Sequence, residues 1–172
     1  MLDTLKEKLP EFAKDTKLNL SKVLDVAQTD GLTEQQIYGC ALAVAYHIGN
    51  PVLIEAFEGE YQDLTLSNAA KLAASLMAMT NIYYRFVHLS EHSQLAHVPA
   101  GLRMQGMMNP GIDKATFEAM CLAVSALNGC GACISAHCKH LEEQGVSVHG
   151  LARIGRIAAV IHATQVSLGL CS

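Results

Sequence analysis

The sequence predicts an all-α fold, a compact domain of about seven helices. It is rich in leucine, alanine and methionine, and strand-like alternation of β-branched residues is absent. Residues that begin and end helices recur along the whole chain. A length of 172 residues allows one substantial core, so we expect a single domain over residues 1–172.

The first half contains two predicted helices joined by a short break. Thr33, with a glutamine three residues later, forms a capping box before the apolar run 37–48. Gly49 closes that helix, because glycine readily adopts the left-handed conformation at a helix end. Pro51 then occupies the first position of a short helix that ends near residue 61.

The second half contains four predicted helices around a long irregular segment. Ser67 is the predicted cap of an amphipathic helix over residues 68–89. Residues 90–111, rich in histidine, proline and glycine, form the longest irregular connection. The remaining helices cover residues 113–127, residues 130–144 after an Asn-Gly break, and residues 148–170. No repeat, linker or low-complexity segment is apparent.

The composition indicates an oligomer that does not bind nucleic acid. Hydrophobic residues make up 51% of the chain and charged residues only 16%, against about 25% charged in typical soluble domains. We therefore expect apolar surface to be buried between identical subunits. A formal net charge of −4, with no cluster of lysine or arginine, argues against nucleic-acid binding.

The ends and apolar runs of the chain predict a cytoplasmic protein. The N-terminal residues alternate in charge and lack the apolar core of a signal peptide. The longest apolar runs, 72–79 and 157–161, fall short of the ~18 residues that span a bilayer. Six cysteines in a reducing compartment are not a structural disulfide framework, so a close pair there indicates catalysis or metal binding.

Residues 128–137 carry the chemistry that the sequence predicts. Cys130 and Cys133 are spaced i, i+3 at the start of a helix, and His137 follows at i+4 from Cys133. A helix N-terminus and a protonated imidazole both favour thiolate over thiol. The helix dipole favours Cys130 as the nucleophile, whereas the neighbouring histidine favours Cys133. The motif predicts redox chemistry at cysteine.

Glu118 is the predicted partner of His137. If the Asn-Gly break folds the flanking helices into a hairpin, the two residues lie at depths that differ by about 2–3 Å, at 1.5 Å per residue. The carboxylate would then orient the imidazole, and the imidazole would take the proton of Cys133.

A zinc site is the rival interpretation of this motif. Cys130 and His140 would lie about 15 Å apart along one helix, too far to surround one ion. A site of three ligands, Cys130, Cys133 and His137, is the zinc alternative that the spacing leaves open. We predict no metal, because structural zinc sites draw ligands from separate elements.

The remaining cysteines, histidines and methionines have structural interpretations. Free cysteine and methionine pack well in cores, and isolated histidines are satisfied core, interface or solvated loop groups. We therefore expect structural roles for Cys40, Cys121, Cys138 and Cys171; core or interface positions for His47 and His162; a solvated loop for His88, His92 and His97; and core or oligomer contacts for Met77, Met79, Met104, Met107 and Met108.

The sequence resembles the alkylhydroperoxidase D (AhpD-like) family, within the carboxymuconolactone decarboxylase superfamily. The pattern from Glu118 to His137 is a glutamate, eleven residues, Cys-x-x-Cys, three residues and a histidine. Further segments also look like full-length members, so the resemblance covers nearly the whole chain: residues 9–15, 17–20, 79–85, 101–104 and 109–111.

The resemblance implies an antioxidant, lipoyl-dependent alkyl hydroperoxide reductase. Cys133 would be the attacking thiol that passes through a sulfenic acid or a mixed disulfide. Cys130 would donate a proton and resolve that species into the Cys130–Cys133 disulfide. Glu118 and His137 would form the proton relay.

The resemblance also implies partners. The expected electron donor is dihydrolipoamide, on the lipoyl domain of a 2-oxoacid dehydrogenase component recharged by dihydrolipoamide dehydrogenase, with no tightly bound cofactor. An AhpC-type peroxiredoxin is the expected protein substrate, and a homotrimer the expected assembly. Well-known members carry a histidine where this chain has Ala132. We therefore expect weak intrinsic peroxidase activity, with a non-catalytic thiol–disulfide sensor or adaptor as the alternative.

Overall fold

A computed structural model describes residues 1–170, and within them the chain forms eight α-helices and no strand. Three short 3₁₀ turns, at Glu11–Ala13, Leu95–His97 and Gln105–Met108, lie between helices. The all-α prediction is confirmed, with one helix more than expected. The helices are α1 (Leu2–Glu7), α2 (Lys14–Val23), α3 (Glu34–Ile48), α4 (Pro51–Glu60), α5 (Leu64–Leu89), α6 (Lys114–Asn128), α7 (Gly131–Glu143) and α8 (Val148–Gly169).

Helices α3 and α6 form the centre of the core. Every residue from Gln36 to Ala45 and from Thr116 to Ser125 is buried, which is typical of helices surrounded on all sides. The two helices pack against each other and against both long helices, α5 and α8. Glu118 lies within the buried part of α6, so its carboxylate is held in the core of the protein.

The predicted helix ends are mostly confirmed, with one error. The Thr33 side chain accepts a hydrogen bond from the Gln36 N–H at 3.2 Å, and the Gln36 side chain accepts one from the Thr33 N–H. The prediction of Ser67 as the cap of α5 is wrong. Asp63 caps this helix instead, accepting from the N–H groups of Thr65 and Leu66, while Ser67 is buried inside it.

The structure contains an internal repeat that the sequence did not reveal. Helices α3 and α6 each have 15 residues, and each ends at a left-handed glycine that leads directly into a second, side-chain-capped helix. A long third helix, α5 or α8, completes each copy. Three pairs of equivalent residues mark the repeat at one constant offset: Thr33 and Asp113, Gly49 and Gly129, and Asn50 and Cys130.

The N-terminal helices close the outside of this arrangement. Helix α1 packs on α4, and α2 packs on α8. Arg153 of α8 is fully buried, where it donates hydrogen bonds to the Val23 and Asp25 carbonyl oxygens and forms an ion pair with Asp30. This buried arginine ties the α2–α3 connection to the second copy of the repeat. Over the described residues, no helix combines the length and apolar character that crossing a membrane requires.

Candidate active site

The turn between α6 and α7 fixes the first cysteine. Gly129 adopts a left-handed conformation with φ of 65°, and the Cys130 N–H donates to the Ser125 carbonyl oxygen at 3.2 Å. Cys130 is then the N-cap of α7, where its Sγ accepts from the Cys133 N–H at 3.3 Å. The predicted break and the placement of the motif at a helix start are both confirmed.

The two cysteines form a disulfide but differ in their surroundings. Their Cα atoms lie 5.3 Å apart. Cys130 is 0% exposed, whereas Cys133 is 7% exposed and lines a cavity of about 340 Å³. A small molecule in this cavity would therefore meet Cys133, with Cys130 behind it.

His137 and Glu118 make the contact that the hairpin predicts. The His137 Nδ1 lies 2.6 Å from the Glu118 Oε2, and both side chains are buried. Burial alone would raise the pKa of the Glu118 carboxyl, but the hydrogen bond and charge of His137, assisted by His140, hold that pKa below its ordinary value. Since an ionised carboxylate only accepts, the Nδ1 carries a proton, so the Nε2 is the ring nitrogen left to exchange a proton with another group.

A second histidine reaches the same carboxylate. The His140 Nδ1 lies 3.5 Å from the Glu118 Oε1, so the two oxygens of Glu118 face two different imidazoles. The His140 side chain is 45% exposed, unlike that of His137. From the sequence, His140 was only a candidate zinc ligand that lay too far along the helix from Cys130, and no other role followed from its position.

The cavity beside Cys133 is largely apolar. Helices α5 and α7 and the turn that contains Met104 and Met107 enclose it. Met77 of α5 is buried in the core, as expected, and also borders this cavity, while Met104 and Met107 line it from the irregular segment. The lining residues are Met77, Thr80, Tyr84, Met104, Met107, Ala132, Cys133, Ala136, His137 and His140.

Comparisons with known proteins identify the family. Residues 94–168 match the carboxymuconolactone decarboxylase family. A protein named alkyl hydroperoxide reductase AhpD from Coxiella burnetii (strain RSA 493 / Nine Mile phase I) is 52% identical over 98% of this chain and 97% of its own length. The chain belongs to the AhpD-like family. Two further proteins of that name, from Bradyrhizobium sp. (strain BTAi1 / ATCC BAA-1182) and Rhodopseudomonas palustris (strain BisB18), are 45% and 46% identical, each over 97% of this chain and 92% of its own length.

The family match and the relatives cover different parts of this AhpD-like chain. The matched residues 94–168 include α6 and α7 and most of α8, which together form the second copy of the repeat. The named relatives cover both copies. The family pattern thus lies in the copy that contains the disulfide, and the resemblance inferred from the sequence is confirmed.

The reactive turn of the AhpD-like chain is held by a polar network that sequence reasoning missed. The Asn128 side chain accepts from the His47 Nε2 at 2.9 Å and donates to the Asn81 Oδ1 at 3.0 Å. Arg85 donates to the Asn128 carbonyl oxygen. Helices α3 and α5 therefore fix the residue two positions before Cys130. The only sequence signal was that Asn81 and Arg85 lie in a segment resembling the family.

The other cysteines of the described chain are unsuited to redox chemistry. Cys40, Cys121 and Cys138 are free thiols. Burial raises the pKa of each, most strongly for the two fully buried ones, so they stay protonated. This agrees with their expected structural roles. The remaining one, Cys171, lies outside the described residues.

The predicted histidine environments are partly wrong. His92 and His97 are exposed in the irregular segment, as expected, but His88 is exposed in the last turn of α5, so the loop prediction is wrong for His88. His47 is half-buried and hydrogen-bonded, also as expected. His162 is exposed on α8, so it is not a core group of the single chain, and its alternative position at an interface stays a prediction.

One group of side chains has the composition of a metal site. Glu118, His137 and His140 offer ligand atoms that all lie within 4.8 Å of one another. The His137 Nδ1, however, is engaged in its short hydrogen bond with Glu118, and a metal bound there would have to replace that proton. The arrangement therefore favours a proton relay, in which one carboxylate serves two imidazoles.

Proposed function

We propose that this chain reduces organic hydroperoxides through a Cys130/Cys133 dithiol–disulfide cycle. The observation that carries the proposal is the position of Cys133, on an apolar cavity that also contains His137, with Cys130 buried behind it. Relatives that share up to 52% of their residues with this chain are named alkyl hydroperoxide reductase AhpD. An apolar cavity suits the alkyl group of such a substrate.

The proposed cycle begins with activation of Cys133. The His137 Nε2 takes the thiol proton, while Glu118 holds the ring through Nδ1. The thiolate attacks the terminal oxygen of the hydroperoxide, the O–O bond breaks, and Cys133 becomes a sulfenic acid. The alkoxide leaves as the alcohol after accepting a proton from Cys130, the donor that the family resemblance implies. Cys130 attacks this sulfur, water leaves, and the Cys130–Cys133 disulfide forms.

The proposed reductant is a dihydrolipoyl group. Dihydrolipoamide on the lipoyl domain of a 2-oxoacid dehydrogenase component would reduce the disulfide, and dihydrolipoamide dehydrogenase would recharge it. The reduced chain would also regenerate an AhpC-type peroxiredoxin, as the family resemblance implies. Both exchanges proceed by thiolate attack through a mixed disulfide, so no tightly bound cofactor is required.

We further propose a cytoplasmic homotrimer. The exposed apolar side chains of Ile82, Phe86 and Leu89 follow one another at helical spacing on α5. Such a stripe, together with the low content of charged residues, supports burial of this face between subunits.

The test is peroxide-dependent oxidation of NADH in a mixture of the protein, lipoamide and dihydrolipoamide dehydrogenase. Each run is paired with a Cys133→Ser variant. Turnover that disappears in the variant supports both the lipoyl-linked activity and the choice of nucleophile. Formation of the disulfide without turnover would instead indicate the alternative function, a thiol–disulfide sensor or adaptor.

A further inference from the structure

The proposed cycle requires Cys130 to stay within reach of Cys133 throughout. Cys130 acts in it both as proton donor and as resolving thiol, and both steps need its Sγ close to the reacting sulfur atom. Cys130 follows the left-handed Gly129 in a turn beyond the end of α6. Contacts between this turn and other elements therefore decide how firmly the position of Cys130 is held.

One buried side chain of α5 contacts both ends of this turn. Asn81 is 1% exposed, and its Nδ2 donates to the Ser125 Oγ at 2.9 Å. Its Oδ1 accepts from the Asn128 Nδ2 at 3.0 Å. Ser125 in turn supplies the carbonyl oxygen that accepts from the Cys130 N–H at 3.2 Å. The side chains of Asn81, Ser125 and Asn128 thus form a clamp on the turn that ends at Cys130.

The clamp depends on both ends of the Asn81 amide. Ser125 is fully buried and Asn128 is half-buried, so water has little access to their contacts with Asn81. An apolar side chain at position 81 would deprive both residues of this partner. Because a buried polar group that loses its partner is destabilised, the turn would rearrange or admit water, and Cys130 would be held less firmly.

The first copy of the repeat has no such clamp at its own turn. The constant offset between the copies places three apolar residues at the equivalent positions: Ala45, Ile48 and Ile161, against Ser125, Asn128 and Asn81. The shared backbone arrangement therefore forms without these polar side chains. Their presence at the turn that carries the disulfide points to a role in the disulfide chemistry.

We propose that Asn81 is a positioning residue that holds Cys130 beside Cys133, a role that rests on the dithiol–disulfide cycle proposed above. Arg85, one turn further along α5, assists by donating to the Asn128 carbonyl oxygen. With the turn held, Cys130 loses little freedom when the disulfide closes, which favours closure. Neither Asn81 nor Arg85 lines the cavity beside Cys133, so the reactivity of the Cys133 thiol itself should not depend on them.

The test measures the equilibrium between dithiol and disulfide in mixtures of reduced and oxidised glutathione. Closure of the Cys130–Cys133 disulfide releases two electrons and two protons, which convert one glutathione disulfide into two thiols. The oxidised fraction of the protein, measured after thiol trapping, gives the equilibrium constant. No peroxide or lipoyl group takes part. In parallel, the rate at which iodoacetamide alkylates Cys133 of the reduced protein, followed by peptide mass spectrometry, reports the reactivity of that thiol alone.

We expect Asn81→Leu to lower the equilibrium constant for disulfide formation about tenfold, while the alkylation rate of Cys133 changes by less than about twofold. Arg85→Met alters an exposed residue and should lower the constant about threefold; it decides the question if Asn81→Leu does not fold. Thr164→Val is the matched control, because it removes a buried hydroxyl that donates to the Val160 carbonyl oxygen within α8. This control should change neither quantity.

Two outcomes would overturn the role of Asn81. An unchanged equilibrium constant in Asn81→Leu, or in Arg85→Met if the first variant is unfolded, would show that the clamp does not position Cys130. An equal fall in the constant and in the alkylation rate would show that the substitution disturbs the whole site. Failure of the proposed function is a distinct result, since the original protein would then form the disulfide with glutathione while its reduced form consumed no hydroperoxide.

Discussion

The two copies of the repeat share one backbone arrangement, but only the second contains the cysteines that form the disulfide. In each copy a buried helix ends at a left-handed glycine, and a side chain caps the next helix one residue later. At the equivalent positions, the first copy has three residues that pack and one, Asn50, that caps a helix. The equivalent pairs are Tyr38 and Glu118, Asn50 and Cys130, Leu53 and Cys133, and Phe57 and His137.

The first copy shows what these positions do without chemistry. Leu53 and Phe57 are fully buried, and Tyr38 stacks on Tyr61 with ring centroids 5.2 Å apart. The Asn50 side chain accepts from the N–H groups of Val52 and Leu53, as Cys130 accepts from that of Cys133. The backbone geometry is therefore shared by both copies, and four side chains distinguish the structural hairpin from the one that we propose to be reactive.

The largest expected contrast lies between Cys133 and Leu53. Cys133→Ser should reduce peroxide consumption to the background rate, because the nucleophile is lost, while leaving the fold intact. Single-turnover mixing of reduced protein with cumene hydroperoxide measures the rate. A variant that still consumes peroxide at the original rate would refute the choice of nucleophile.

The equivalent residue Leu53 should affect stability rather than chemistry. Leu53→Ala removes a fully buried side chain, so the free energy of unfolding should fall by about 2–5 kcal/mol. Urea unfolding of the reduced protein measures this loss. Peroxide consumption should stay within about threefold of the original rate while the variant is folded; a complete loss of activity would mean that the first copy contributes to the site.

Substitutions at Glu118 and at its equivalent Tyr38 should also differ in their effect on turnover. Glu118→Gln keeps the shape but weakens the relay, and the turnover rate should fall by about 10²–10⁴-fold. Tyr38→Phe keeps the ring that stacks on Tyr61 and should leave turnover unchanged. The measurement is steady-state turnover in the lipoamide-linked assay. Equal rates for the original protein and Glu118→Gln would exclude the carboxylate from the relay.

The two caps provide a smaller contrast. Asn50→Ala removes the cap of α4, which should lower the free energy of unfolding by about 1 kcal/mol. Cys130→Ser should retain the cap of α7, because serine is a favoured capping residue, yet it removes the resolving thiol. Dimedone labelling after peroxide treatment should then trap the sulfenic acid on Cys133. Absence of this adduct would argue against Cys130 as the resolving residue.

The smallest effects concern pH. The lowered pKa of Glu118 stabilises the fold above its ordinary value of 4.5, and this contribution is lost as the pH falls through the folded-state pKa. Burial raises the pKa of Tyr38 above its ordinary value of 10.0, so its contribution is present below that value and is lost as the pH rises through the folded-state pKa. Thermal unfolding across pH should show a flatter acid limb for Glu118→Gln and a flatter alkaline limb for Tyr38→Phe. Unchanged limbs would contradict these assignments.

The parts of the site that could be predicted depend on residue spacing along one helix and across one helical hairpin. The spacing of Cys130, Cys133 and His137 placed them together on one helix, and equal depth in a hairpin placed Glu118 beside His137. Both arguments need only the helix rise and one turn. The capping box at Thr33 also depends only on residues close in sequence, and its prediction was correct.

Features that depend on packing between distant elements were missed. The predicted start of α5 was wrong because Asp and Ser are both favoured at the N-cap of a helix. Only the fold shows that Asp63, rather than Ser67, accepts hydrogen bonds from the first N–H groups of α5. The repeat escaped notice because its copies share backbone conformations rather than side chains. The bond between His47 and Asn128 joins α3 to the end of α6, which no local pattern encodes.

Burial of Cys130 also makes the two sulfur atoms of the disulfide unequally accessible. Of its two sulfur atoms, the one on Cys133 lines the cavity, while the one on Cys130 is capped by a backbone N–H inside the protein. In the proposed cycle, an incoming dithiol would bond to Cys133 and release Cys130 as the leaving group. Oxidant and reductant would then react at the same sulfur atom, so one half-reaction would be complete before the other partner could enter.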